Sequence, residues 1–334
     1  MRFSLDFYSS VIAHGMSSVH DKPQRADLSV LIVTRNGARI IERALNSIQA
    51  QTIAPAEVIV INNGSDDDTA EICRSHPLPL TLFEESGHYL SKARNIAASH
   101  ASGKWLAFLD DDDEWDPSHI ARMLSSVEKT GTRIHLSHYR KYISKIDCFE
   151  ERPPLLGIDP KSEPVIMTRD DLRDIVVGVC YGWHLQGMCL DREMYLESGG
   201  CDEDMPVRAD AEFFLRISSK EPWTYIPQET WTWFIEDRGS LSTRHYLTYL
   251  WWVRGHACHQ DWLDCPKYRE CMARSSWEAV RQGILFRHRS AYPEYRRHCL
   301  PWLTPVRRMC ARLAMKFDRL ARYAWLIRDQ IPGH

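Results

Sequence analysis

No stretch of the 334 residues approaches the roughly 18 consecutive apolar positions that a membrane-spanning helix needs, so no spanning helix is expected. The opening segment MRFSLDFYSSVIAHGMSSVH holds no sustained apolar run, so no secretory signal is expected either. No Walker loop is present and no Gly-x-Gly-x-x-Gly follows a strand, which leaves ATP and dinucleotide readings without support. Ten cysteines occur without a Cys-x-x-Cys pair, in a chain too large to need a disulfide scaffold. Reduced core thiols in a cytosolic protein are expected. There is no internal repeat, no low-complexity tract and no recognised nucleic-acid module, so nucleic acid is not an expected partner.

What is present is ordinary in amount and uneven in placement. Hydrophobic residues make up 44% and charged residues 26%, the balance of a globular protein with a sizeable core. The net charge of −3 conceals a division: from Lys267 onward fifteen Lys and Arg face five Asp and Glu, while the rest of the chain is acidic. Residues 1–26 read as a polar extension, 27–245 as the main domain and 246–334 as a basic helical extension. Along the last of these, Val306, Cys310, Leu313, Phe317, Leu320 and Ala324 form one stripe beside Arg308, Arg312, Lys316, Arg319 and Arg322. Such a helix either packs on its own domain or on a partner, or lies on an anionic bilayer.

The main domain opens on Leu28–Val33, a continuous apolar run of the kind that marks a strand buried on both faces. A turn at Thr34-Arg-Asn-Gly37 leads to a helix whose apolar face is Ile40, Ile41, Ala44, Leu45 and Ile48. Val58–Ile61 is a second buried strand, so a right-handed crossover and a parallel sheet follow. A helix over Asp68–Ser75, a strand at Leu80–Phe83, a helix over Ser91–Ser102 closed by Gly103, and a strand at Trp105–Leu109 continue the alternation. Pro117 opens another helix. The class is α/β, doubly wound, and such sheets bind ligands at the carboxyl ends of their strands. The region 131–245 is less regular: a strand or hairpin at His135–Ile146, a short strand at Met188–Leu190, and a helix at Ala209–Ser219 with Phe213, Phe214 and Ile217 as its buried side.

Asp110-Asp111-Asp112-Asp113 follows the fourth strand directly. Adjacent carboxylates repel one another unless a cation or hydrogen bonds compensate. Mg²⁺ and Mn²⁺ prefer oxygen ligands and commonly bridge protein carboxylates to substrate phosphates. Alternate residues of an extended chain face the same way, so Asp110 and Asp112 can address one site. The turn Asn62-Asn63-Gly64-Ser65-Asp66 lies at the same edge; Asn and Gly suit a tight turn, and side-chain amides can read a nucleobase. Asp210 opens an amphipathic helix, as a cap or as a base.

These segments together resemble a family 2 glycosyltransferase of GT-A fold over about 28–245. LSVLIVTRN is similar to the family's opening VSVIIPTYN, and VIVINNGSDDDTAEI to IIVVDDGSTDGTAEI. Ala93-Arg94-Asn95 followed by Gly103–Asp113 resembles the family's ARN and LDADD stretch, and Glu114-Trp-Asp-Pro117 its xWxP continuation. Gly199–Glu203 resembles GGFDE, Ala209–Arg216 the ED-x-D/E-x-x-L-R helix, and Arg238–Ser242 a late GSLS.

The resemblance implies an inverting, metal-dependent transfer of sugar from a nucleoside diphosphate to a hydroxyl, in a mostly parallel sheet flanked by helices. Thr34, Asn36 and Asn63 would border the nucleoside, with Arg94, Asp110 and Asp111 completing the nucleotide-sugar site. Asp112 and Asp110 would hold Mn²⁺ or Mg²⁺, and Asp210 would be the general base. Trp183, His184 and Gln186 would lie near the acceptor or donor sugar. Partners would be the sugar nucleotide and a carbohydrate or lipid-linked acceptor in surface-glycan assembly, with peripheral contact on the inner face of the membrane. Asn63 stands where the family has Asp, and its amide oxygen can still accept the N3–H of uracil or thymine. Ala209 stands where the family has Glu, and the first turn lacks the family's Pro. A nucleotidyltransferase or a non-catalytic binding protein of the same fold are the alternatives. For Trp231, Trp233 and Phe234 core packing is the plainer role; His245 reads as a solvent residue or one reaching the pyrophosphate.

Overall fold

The computed structural model describes residues 25–151, 153–178, 184–205, 208–235, 262, 264–285 and 292–316. Trp183, the 238–242 stretch, His245 and the stripe beyond Lys316 lie outside the described residues. The strands are β1 (Arg25–Thr34), β2 (Ala54–Asn63), β3 (Thr81–Glu85), β4 (Trp105–Asp110), β5 (Glu114–Trp115), β6 (Ile134–Ile143), β7 (Cys148–Glu150), β8 (Val165–Met167), β9 (Met188–Asp191) and β10 (Trp223–Ile235). The main helices are α1 (Ile41–Gln49), α2 (Thr69–Ser75), α3 (Leu90–His100), α4 (His119–Thr130), α5 (Arg169–Gly178), α6 (Arg192–Glu197), α7 (Ala209–Ser218), α8 (Pro266–Leu285) and α9 (Pro305–Lys316).

One sheet runs in the order β3-β2-β1-β4-β9-β6-β10-β5, with β7 beside β6 and β8 beside β10. The first four strands are parallel, as the alternating apolar runs require. β9 then inserts antiparallel between β4 and β6. β1 and β2 are buried on both faces: Leu31, Ile59 and Ile61 join one apolar cluster, Val30, Ile32, Val58 and Val60 the other. Each such side chain contributes about 1.5–3 kcal/mol on burial. That is why these strands have no polar face to betray a period of two.

α3 sits close on the sheet because Ala93, Ala97 and Ala98 are small and fully buried. Gly103 does not close this helix, which ends at Ala101 in an extended conformation. A Cβ on Gly103 would fall 2.8 Å from the Ser29 backbone nitrogen, so its glycine permits close approach to β1 instead. α4 does end on a glycine: Gly131 has φ +65° and its N–H returns to Val127 O at 2.9 Å. α6 is capped by Asp191, whose carboxylate accepts from Met194 N–H at 2.9 Å.

β6 and β10 pair in parallel and run well past the rest of the sheet. Leu190 pairs with both Leu106 and Ile134, which places Asp110 level with His138. Tyr139–Ile143 and their β10 partners Trp231–Ile235 therefore extend beyond the carboxyl edge, by roughly 16 Å at about 3.3 Å per residue. β7 adds a third strand to this overhang through the pairs Lys141–Glu150 and Tyr142–Phe149.

α8 and α9 pack onto the same core as α5 and α7, through Tyr268, Met272, Val280, Ala311 and Met315. The residues of α9 that face inward are Ala311, Ala314 and Met315. The larger apolar side chains of the expected stripe face outward: Val306 is 67% exposed and Leu313 50%, with Met309 beside them at 57%. Packing on its own domain does not hold for these residues of the stripe. Among the described residues no helix is long and apolar enough to cross a membrane.

Candidate functional site

The carboxyl edges of β1, β2 and β4 meet at three turns. Thr34, at the end of β1 and 1% exposed, donates its hydroxyl to Asp111 Oδ2 at 2.6 Å. Asn36 lies in the left-handed region at φ +55°. Its N–H donates to Ser65 Oγ at 2.9 Å, and its side-chain oxygen accepts from Asp66 N–H at 3.0 Å. The turn after β1 is thus tied to the turn after β2. Gly37 completes the arrangement, since a Cβ there would stand 2.4 Å from Thr34 Oγ1 and 2.7 Å from Asp111 Oδ2. Asn63 is buried, donating to His88 O at 2.9 Å and accepting from His88 N–H at 3.4 Å. Its amide nitrogen is committed to the loop after β3, and the long bond to its oxygen is the weaker of the two.

The aspartate run is not an extended chain. Asp113 N–H donates to Asp110 O at 3.2 Å, closing a turn. That turn, rather than strand alternation, brings Asp110 and Asp112 together, and it brings in Asp113 as well. One oxygen from each of the three lies within 4.8 Å of the others. Asp113 is fully buried; its Oδ1 accepts from Phe234 N–H at 3.0 Å, and its Oδ2 has no hydrogen-bond partner among the described residues. Burial, then the charges of Asp112 and Asp110, hold its carboxyl well above the usual range. Clustered hard oxygens with one orphaned buried lone pair suit a divalent cation such as Mg²⁺ or Mn²⁺. Asp113 and Arg43 stand outside the site expected from sequence. Arg43, on α1, donates to the Asp112 carbonyl and lies over the Phe234 ring at 3.8 Å.

Arg94 comes up from α3 beneath this turn, its side chain only 6% exposed, and bonds Asp110 Oδ1 at 2.7 Å. Burial opposes its charge, but the carboxylates of Asp110 and Asp210 outweigh that and raise its pKa. Asp210 is in the first turn of α7, after Arg208 at φ +66°. A bulky residue in the left-handed region is strained, and such strain collects at functional sites. Gln186 is buried and donates to Asp110 Oδ2, while its Oε1 has no partner among the described residues. His184 is packed against Trp233 at 4.9 Å, Tyr139 at 5.4 Å and Trp231 at 5.7 Å. Burial depresses its pKa to about 4, against the pull of Asp210 and Asp110. At neutral pH its imidazole is therefore uncharged, with one nitrogen free to accept.

The sequence-derived residues Asp110, Asp112, Arg94, Asp210, His184 and Gln186 thus share one neighbourhood, with Asp210 and Asp110 both felt by Arg94 and by His184. Thr34, Asn36, Asn63 and Asp111 line the adjoining edge over β1 and β2. Residues 29–177 match the model of Glycosyl transferase family 2. The uncharacterized glycosyltransferase YwdF of Bacillus subtilis is 27% identical over 215 residues, 64% of this chain and 75% of that protein. Among solved structures, Staphylococcus aureus TarS 1–349 in complex with UDP-GlcNAc superposes with a TM-score of 0.56 at 13% identity, over 82% of this chain and 89% of that one. The mannosyltransferase PcManGT of Pyrobaculum calidifontis, in complex with GDP-Man and Mn²⁺, gives 0.51 at 18% identity, over 89% of each chain.

Proposed function

We propose that this chain is a glycosyltransferase of family 2 with the GT-A fold and that it moves a sugar from UDP or dTDP to a hydroxyl of a growing glycan, with inversion at the anomeric carbon. The observation that carries this is Arg94: one buried guanidinium bonded to Asp110 at 2.7 Å and close enough to Asp210 for that charge to raise its pKa, which supports one shared site for the two carboxylates. Asp210 takes the proton of the acceptor hydroxyl as that oxygen attacks. The attack is a single in-line displacement, so the configuration inverts, and no second carboxylate is required as a nucleophile.

Asp112 and Asp110 would hold Mn²⁺ or Mg²⁺, with the Asp113 carboxylate beside them. The cation, when bound, supplies positive charge for the departing diphosphate. Arg94 orients Asp110 through their ion pair. Thr34 fixes Asp111 toward the nucleoside, and Asn36 holds the two adjoining turns together. Asn63 Oδ1 accepts the N3–H of uracil or thymine in place of its long bond to His88. His184 and Gln186 hold sugar hydroxyls. Structures of similar fold were obtained with UDP-GlcNAc and with GDP-Man and Mn²⁺, which supports a sugar-nucleotide donor.

Work on surface glycans would place the enzyme on the inner face of a membrane. The outward Val306, Met309 and Leu313 of α9, among Arg307, Arg312 and Lys316 and with no acidic residue in the helix, support docking on anionic lipid. The catalytic reading is tested by turnover of a panel of nucleotide sugars with Mn²⁺. Asp112→Ala is expected to lose metal-dependent donor binding. Asp210→Asn is expected to bind donor near normally and to lose transfer; full transfer by Asp210→Asn would refute the assigned base.

A further inference from the structure

The overhang beyond the carboxyl edge has two faces of different chemistry. On one face Phe234, Tyr142 and Phe149 follow one another at 5.3 and 5.1 Å, apolar to the tip. On the other, Tyr139 and Trp231 stack at 4.8 Å and are buried at 5% and 1%, forming a fixed floor. Trp233 is the next residue on that face and remains only partly buried. The Lys141 ammonium lies over its ring at 5.6 Å, and the His184 ring is tilted against it at 4.9 Å. Lys141 pairs with Glu150 of β7 at 2.6 Å; Lys141 is largely buried at 13% and Glu150 reaches solvent at 40%. His184 is the link to chemistry, because the same imidazole feels both Asp210 and Asp110.

The turn that carries Gln186 is pressed onto this floor. A Cβ at Gly187 would stand 2.5 Å from Trp231 Nε1, and that indole N–H has no partner among the described residues. Floor, Gln186 and Asp110 therefore form one continuous wall.

We propose that this wall is a sugar subsite for the acceptor: Trp233 seats a neutral pyranose ring, and Lys141 and Glu150 hold two of its adjacent hydroxyls. The inference rests on the transfer reading above and adds the substrate class and the residues that choose it. A pyranose has an apolar C–H face, which removes its hydrated area against an indole. Its rim is a row of hydroxyls, each a donor and an acceptor. A lysine that only donates beside a glutamate that only accepts matches two neighbouring hydroxyls at once. Glu150 on the rim opposes an anionic ring, so a neutral hexose or N-acetylhexosamine is the class selected. On the opposite face Arg43 already lies over Phe234 and the Tyr142 hydroxyl already donates to Asp147.

Saturation-transfer NMR on the full chain tests this without any donor turnover. The probes are methyl glucopyranoside, methyl galactopyranoside and methyl N-acetylglucosaminide, with and without UDP and Mn²⁺. Saturation of ring C–H protons is expected for at least one of them in the wild type. Trp233→Ala should weaken that binding by about tenfold, the scale of one aromatic contact. Trp233→Phe should recover part of it, and Lys141→Met should weaken it while leaving C–H saturation detectable. The stabilisation by UDP and Mn²⁺ should be unchanged in all three. Should Trp233→Ala fail to fold, the Phe and Met variants carry the test. Wild-type affinity in Trp233→Ala, or in both Trp233→Phe and Lys141→Met, overturns the proposal, as does the absence of saturation for every pyranoside in the wild type. Pyranoside binding that depends on Trp233 in a chain that turns over no nucleotide sugar would sink the transfer reading alone.

Discussion

Asp113→Asn should make the metal-free protein more stable and less responsive to a cation. Its carboxyl is fully buried, and oxygens of Asp110 and Asp112 lie within 4.8 Å. At that distance, and at an effective dielectric of about 20, two unit charges interact by about 3.5 kcal/mol. Asp110 is 26% exposed, Arg94 neutralises part of its charge, and burial with the charges of Asp112 and Asp110 holds the Asp113 carboxyl toward its neutral form. Screening and that partial neutralisation bring the removable repulsion to about 1–2 kcal/mol. Asparagine keeps the oxygen that accepts from Phe234 N–H, so the turn is retained. Urea unfolding at pH 7.5 in chelator should show the variant's midpoint raised by that amount. On adding Mn²⁺ the wild type should gain stability by mass action and overtake it. A variant that is less stable in chelator, or that gains as much from Mn²⁺ as the wild type does, would refute the reasoning. The repulsion would then not be stored at Asp113, or the residue would not belong to the cation's surroundings.

Two further outcomes follow. Burial holds the imidazoles of His119 at about 3 and His135 at about 4, each below the ordinary value of 6.5. Because the unfolded chain binds these protons first, stability is full above about pH 6.5 and falls as pH drops toward the folded values. At pH 5 each histidine removes about 2 kcal/mol relative to pH 7.5; guanidinium midpoints across that range should fall, and a flat profile would contradict the burial. For α9, Val306→Asp with Leu313→Asp should reduce co-sedimentation with phosphatidylglycerol vesicles by tenfold or more, on the order of the cost of placing two charges on the buried face. Sedimentation equal to the wild type's, or none by the wild type, would remove the membrane reading.

The parallel half of the sheet was legible because its strands are buried on both faces and therefore unbroken in apolar character. β1, β2 and β4 end where the sequence places Thr34, Asn63 and Asp110, so the edge that carries the site followed directly. Three features lay beyond such reading. The pairing of β6 with β10 joins residues about ninety positions apart and needs β9 inserted antiparallel, which no local period encodes. The aspartate run was read as extended, yet a turn sends Asp111 to Thr34 and Asp113 inward; alternation holds only while the ladder lasts. The apolar stripe of α9 was visible, but its direction was not. Ala311, Ala314 and Met315 took the inward positions, in the core that α8 also joins.

The overhang has a consequence for how this fold changes partners. Beyond His138 neither β6 nor β10 shares a ladder with the strands that carry Thr34, Asn63 and Asp110. Exchanging 139–150 and 231–235 as a cassette would meet the nucleotide half at a few named contacts: β5 on Trp231 and Thr232, Arg140 on Asp116, Arg43 over Phe234, and the Phe234 N–H on Asp113. That bond makes the carboxylate cluster an internal gauge of any such graft, because a misplaced cassette registers first as a change in cation affinity.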